Sequence, residues 1–128
     1  MRQQYHSRNI GPDVLIWDVN ALIQANDHLP TKKILLSDIQ EFEENWWYQS
    51  KNSVPTCQSI VDHFHLIAAC ELKYPILLGP KGRLIDGMHR VCKAHLEGRT
   101  FILARQLLKL PSPDYRNVDF DDLPYEDE

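Results

Sequence analysis

The chain has little cysteine, no long apolar run and no excess of basic charge. Its three cysteines, Cys57, Cys70 and Cys92, form no Cys-x-x-Cys pair and are odd in number. That argues against a secreted disulfide scaffold and for reduced thiols. All three fall in predicted helices, where buried packing is the expected role. The opening "MRQQYHSRNIGPD" carries no apolar signal segment. No apolar run approaches the roughly 20 residues that span a bilayer. The expectation is a cytoplasmic protein with no membrane partner. With 14 Lys and Arg against 18 Asp and Glu, the formal net charge is −4. The overall basic footprint of a nucleic-acid binder is therefore missing. Zinc spacing is missing too. His63 and His65 lie two apart and His89 and His95 six apart, neither pair shares a helix face, and no His-Glu-x-x-His occurs. No carboxylate cluster suggests a nuclease, and no internal repeat is visible.

What is present suits one folded domain: 128 residues, 43% of them hydrophobic. Residues 1–13 are polar, contain Gly11-Pro12 and read as a flexible arm. The domain proper is expected over 14–110. Leu15, Val19, Leu22 and Ile23 recur at helical spacing, so a helix is expected near 14–26, ended before Pro30. "KKILLSDI" reads as a strand over 32–36 running into Ser37 or Asp38 as a helix cap. "QEFEENWWYQSKNSVP" reads as a loop or single helical turn. Thr56 caps a clear helix whose apolar stripe is Ile60, Val61, Phe64, Ile67, Ala68 and Leu72. "YPILLGPKGRLID" reads as a hairpin, with strands over 76–78 and 83–85 about the Gly79-Pro80-Lys81-Gly82 turn. A helix follows from Gly87 to about Glu97, with Gly98 just past its end, and then a strand over 100–107. The acidic, proline-containing tail, 111–128, is expected to be irregular, docked by Tyr115, Phe120, Leu123 or Tyr125. Interleaved helices and strands give an α/β or α+β fold with a small mixed sheet.

The chemistry concentrates at Asp86-Gly87-Met88-His89-Arg90, where a strand turns into a helix. The first amides of a helix have no intrahelical acceptor, and the helix dipole adds partial positive charge there. Gly87 would let a ligand approach the backbone. His89 and Arg90 add donors, and Arg grips a phosphate through two parallel hydrogen bonds. Lys81, Arg83 and Lys93 lie nearby in sequence. This is the chemistry of a phosphate site. The plainer alternative is a capping Asp86, a turn glycine and two solvent-facing side chains.

The stretch "YPILLGPKGRLIDGMHRVCKAHLEGRTFILARQL" resembles the central region of the ParB/sulfiredoxin-like superfamily. "KKILLSDI" is similar to that group's opening strand and "TCQSIVDHFHLI" to its intervening helix, so the likeness spans about residues 32–107. Small stand-alone bacterial ParB-like proteins also have ends resembling "IWDVNALI" and "DDLPYED". The resemblance implies a small mixed sheet with helices packed around it, and nucleotide phosphates held at Gly87, Met88, His89 and Arg90, with Lys81 and Arg83 beside them. Sulfiredoxins carry Gly-Cys-His-Arg at that turn. Met88 stands in the place of the cysteine, and a thioether forms no thiolate, so sulfiredoxin activity is not expected. Chromosome-partitioning ParB proteins carry a Gly-Glu-Arg-Arg-like turn that handles CTP. The acid is missing here, and these 128 residues are too few for their DNA-binding and dimerisation segments as well, so a DNA-segregation clamp is not expected. The superfamily's free-serine kinases have an Asp-Gly-x-His-Arg turn, the nearest likeness, and use an acid from an earlier loop as base. Glu41, Glu43 and Glu44 occupy a comparable stretch.

Two functions are therefore expected to compete. One is an enzyme on a nucleotide phosphate (ATP, ADP or CTP, with or without Mg2+), a phosphotransferase to a small hydroxyl substrate or a hydrolase. In it His89 would act as acid/base, Asp86 would orient His89 or help hold magnesium, and Glu43 or Glu44 would deprotonate the acceptor. The other is a non-catalytic nucleotide sensor or interaction module, with Trp46, Trp47 and Tyr48 stacking on a base or meeting a partner. A homodimer stays open in both.

Overall fold

The computed structural model describes residues 3–125 and has an α+β fold with two sheets. Tyr5–Ile10 (β1) and Asp13–Asp18 (β2) pair antiparallel, Tyr5 opposite Asp18 and Ile10 opposite Asp13. The first residues are thus a hairpin strand about Gly11-Pro12 rather than a flexible arm, because His6, Arg8 and their neighbours find a backbone ladder on β2. Val14 to Asp18 are also strand, so the helix expected from residue 14 starts at Val19. "VLIW" is β-branched and aromatic, which suits a pleated, half-buried strand. Asp18 marks the switch: its side chain accepts from the Ala21 amide at 3.1 Å and caps Val19–Asn26 (α1).

Lys32–Leu35 (β3) ends where the Leu36 amide donates to the Thr100 carbonyl at 2.9 Å. The helix expected after Ser37 or Asp38 does not form. Two short 3-10 turns, Leu36–Asp38 and Gln40–Glu43, stand there, and neither has a side-chain cap. Cys57–Ala69 (α2) is capped by Thr56, whose hydroxyl accepts from the Ser59 amide at 3.1 Å, as the sequence indicates. Ile76–Leu78 (β4) and Leu84–Asp86 (β5) form the expected hairpin, Met88–Leu96 (α3) the helix, and Phe101–Gln106 (β6) the strand after it. Tyr115–Arg116 (β7) closes the first sheet as β1-β2-β7. The second sheet has the order β3-β6-β4-β5. Its β4 and β6 are parallel and its other pairs antiparallel, which makes it the small mixed sheet expected.

Strand alternation builds two cores. Ile76, Leu78 and Leu84 face α3, packing with Met88, Val91, Ala94, Ile102 and Ala104. Leu77 and Ile85 point the other way, onto Trp17, Val19, Leu22 and Leu107. The tail is docked: Leu123 is buried, and the Trp17 indole donates to the Pro111 carbonyl at 2.9 Å. Its last three residues lie outside the described part.

The apolar stripe expected to bury α2 does so only at Ile67 and Leu72, which are half-buried. Ile60, Val61 and Phe64 are each more than half exposed. The half-buried positions are Ser59, His63, Ile67 and Cys70, one residue out of step, a rotation of about 100° on a helix. Lys93 ties the end of α2 to α3. Its ammonium donates to the Ala68 and Cys70 carbonyls at 3.1 and 2.6 Å, capping the end of α2. Lys93 is thereby taken away from the Asp86–Arg90 turn. Cys57 is exposed and Cys70 and Cys92 are half-buried, so the expected burial fails for the first.

Candidate functional site

β5 hands over to α3 at Gly87, whose φ of 117° and ψ of 21° are left-handed. A Cβ there would lie 2.5 Å from Ile76 Cγ2 and 2.9 Å from Ile76 Cβ. The glycine is thus demanded by its own core neighbour, whereas the sequence suggested close approach of a ligand. No side chain caps α3, and its start lies at the rim of a cleft of about 1310 Å³ that Gly87, Met88 and His89 line. Met88 contributes backbone only, because its side chain is buried in the core.

Arg90 is engaged. Its Nη1 donates to the Tyr74 and Pro75 carbonyls at 3.1 and 2.6 Å, and its Nη2 to Asp86 Oδ2 at 2.9 Å. The end-on fork that would hold a phosphate is occupied by these contacts, and Asp86 is neutralised by the same bond. The pair is half-buried and fixes β5 to α3. Arg90 and Asp86 therefore hold the turn in shape. His89 faces the cleft within an aromatic pile. His63 Nδ1 lies 2.9 Å from His89 Nε2, and the Trp47 ring stacks over His63 at 4.1 Å and over His89 at 5.0 Å. A contact between two ring nitrogens requires one to be protonated and the other to accept.

The opposite wall comes from β1 and the β4–β5 hairpin. His6 and Arg8, two apart on a strand, share a face. Arg8 Nε donates to His6 Nε2 at 3.3 Å. The His6 ring stacks on Trp46, centroids 6.4 Å apart. Burial, then the charges of Arg8 and Arg83, pull the His6 pKa down to about 4. The ring is neutral near pH 7 and can accept from Arg8. Arg83 Nε lies 3.5 Å from Glu41 Oε2; the Glu41 side chain is buried and that of Arg83 is 60% exposed. The Arg8 guanidinium has its pKa lowered by burial and by Arg83, with Glu41 opposing. Its Nη2 is buried and has no hydrogen-bond partner among the described residues.

The structure thus brings Asp86, Gly87, Met88, His89, Arg90, Arg83 and Glu44 to one cleft, and leaves Glu43 and Lys81 outside its lining, both exposed. Lys81 sits on the hairpin turn between β4 and β5. Trp46 and Trp47 pack on the core and also line the cleft. Sequence reasoning missed His6, Arg8 and the role of His63. The alternation in "YHSRN" was the available signal, but only its pairing with β2 reveals it as a strand. Among the described residues no group of three or more His, Cys, Asp or Glu side chains is placed to hold a metal ion, and no helix is long and apolar enough to cross a membrane. No protein family, curated protein or solved structure matches the chain.

Proposed function

We propose that this protein binds a nucleotide in the cleft, with a phosphate at the start of α3, and acts on that phosphate as a phosphotransferase or hydrolase. The observation that carries the reading is the start of α3, with no side-chain cap, opening onto a cleft beside His89. The start of a helix, with its dipole, favours an anion. Trp46 and Trp47 offer ring faces for a base, and the resemblance of "DGMHR" to nucleotide-handling turns supports the same ligand. In this reading His89, hydrogen-bonded to His63, protonates or donates to a phosphoryl oxygen. Glu44, on the cleft lining, takes the proton of the acceptor hydroxyl or of water. Asp86, held by Arg90, is a poor magnesium ligand, so any magnesium would arrive on the nucleotide's own phosphates.

Binding without turnover is the second reading, and the engaged fork of Arg90 favours it: the strongest cation of the turn is not directed at a transferring group. A thermal-shift screen with ATP, ADP, CTP and GTP, with and without magnesium, tests both readings. A ligand at about 100 times its Kd stabilises by about 2.7 kcal/mol, a rise of about 10 °C for a chain of this size. At least one nucleotide should raise the melting temperature of the wild type, and His89→Ala should shrink that rise. Chromatography of the same mixtures then separates the readings: released product marks an enzyme, intact nucleotide a sensor. No shift with any of the four would overturn nucleotide binding.

A further inference from the structure

Four groups on the β1 side of the cleft are out of balance. Arg8 and Arg83 carry two positive charges, Glu41 carries one negative charge, and His6 is held neutral. The guanidinium groups are near enough for Arg83 to bear on Arg8. Glu41 answers Arg83 only at 3.5 Å, at the outer limit of a hydrogen bond. His6 fixes Arg8 through Nε and, having one lone pair to give, leaves the η edge to find another acceptor. One η nitrogen is buried and unpartnered among the described residues, a costly arrangement unless something fills it. Gly79 lets the guanidinium pack there: a Cβ at that position would come within 2.9 Å of Arg8 Nη2.

We propose that Arg8 and Arg83 form an oxyanion subsite, distinct from the start of α3, that holds the carboxylate or phosphate of a second ligand. Water could satisfy the buried N–H, but only an anion also offsets two neighbouring guanidinium charges. The planar fork of arginine matches carboxylate and phosphate geometry. The two subsites are marked by consecutive residues, since Trp46 stacks on His6 and Trp47 on His63 and His89. A cleft of about 1310 Å³ has room for two ligands. As an acceptor site the proposal rests on the nucleotide reading; as an anion site it does not.

The full chain is titrated with inorganic phosphate, with succinate and with ADP, read by tryptophan fluorescence, in wild type, Arg8→Gln and Arg83→Gln. Arg83 is largely exposed, so its variant keeps the fold even if Arg8→Gln loosens β1. Phosphate or succinate should saturate the wild type, and each substitution should weaken that binding by about tenfold, the scale of a lost charge-assisted contact. Preference between the two probes identifies the anion. ADP affinity should change less than about threefold in the same variants, within the context scatter of a screened charge. No saturation by either probe overturns the subsite, as does unchanged affinity in both variants. Loss of ADP binding in step with loss of phosphate binding makes the arginines part of the nucleotide's own phosphate site and overturns the separate subsite. Failure of ADP to bind the wild type while phosphate or succinate binds contradicts the nucleotide reading and the acceptor role, and leaves the anion site standing.

Discussion

Burial and two guanidinium neighbours hold the His6 ring neutral down to about pH 4, whereas in the unfolded chain it protonates near 6.5. Between those values the unfolded state binds the extra proton, so stability rises with pH there. The contribution is fully present above 6.5 and is lost as pH falls towards 4, to a total of about 3 kcal/mol. Denaturant unfolding of wild type and His6→Asn across pH 4–7 checks this. The wild-type curve should fall more steeply by about that amount, and parallel curves would contradict it. His6 also shows what a sequence conceals at this scale. Gly87, Thr56 and Gly98 were legible because backbone geometry restricts the residue at a left-handed turn or a helix cap. His6 and Arg8 were not, because their chemistry depends on Glu41 and Arg83, more than 30 residues away. Arg90 was legible as a cation at the turn, but the Tyr74 and Pro75 carbonyls that engage it were not.

Inside residues 32–107 the strands and the two α-helices were placed to within a few residues, because periodicity and caps are local signals, whereas the helix expected after Ser37 or Asp38 is replaced by two 3-10 turns. The failures lay where two local signals overlap. The helical spacing of Leu15 and Val19 ran across the strand β2, and Asp18, a capping residue between them, was the clue to the boundary. α2 failed differently: its existence and start were legible, its orientation was not. The packing of α2 on α3 turns Ser59, His63 and Ile67 inward and leaves Phe64 60% exposed. Phe64→Glu should therefore change the unfolding free energy by no more than about 0.5 kcal/mol, as exposed substitutions do. The same change in a core would cost about 3–5 kcal/mol. A urea titration decides between them, and a loss of several kcal/mol would mean that this face is covered in solution.

At the scale of the whole molecule, the cleft exists only because two sheets meet. One wall is β1 with the β4–β5 hairpin; the other is the start of α3 with the second half of α2. Segments near residues 6, 41, 47, 63 and 89 converge there. The strand-to-helix turn that anchors it was evident from "RLIDGMHR", whereas the opposite wall required the fold. The central claim is that a nucleotide phosphate rests on the start of α3. Amide NMR of the uniformly 15N-labelled chain during an ADP titration tests it most directly. The largest saturable shifts should fall on Met88 and His89, with the Trp47 indole following. Saturable shifts confined to other surfaces, or none up to millimolar ADP, would contradict it.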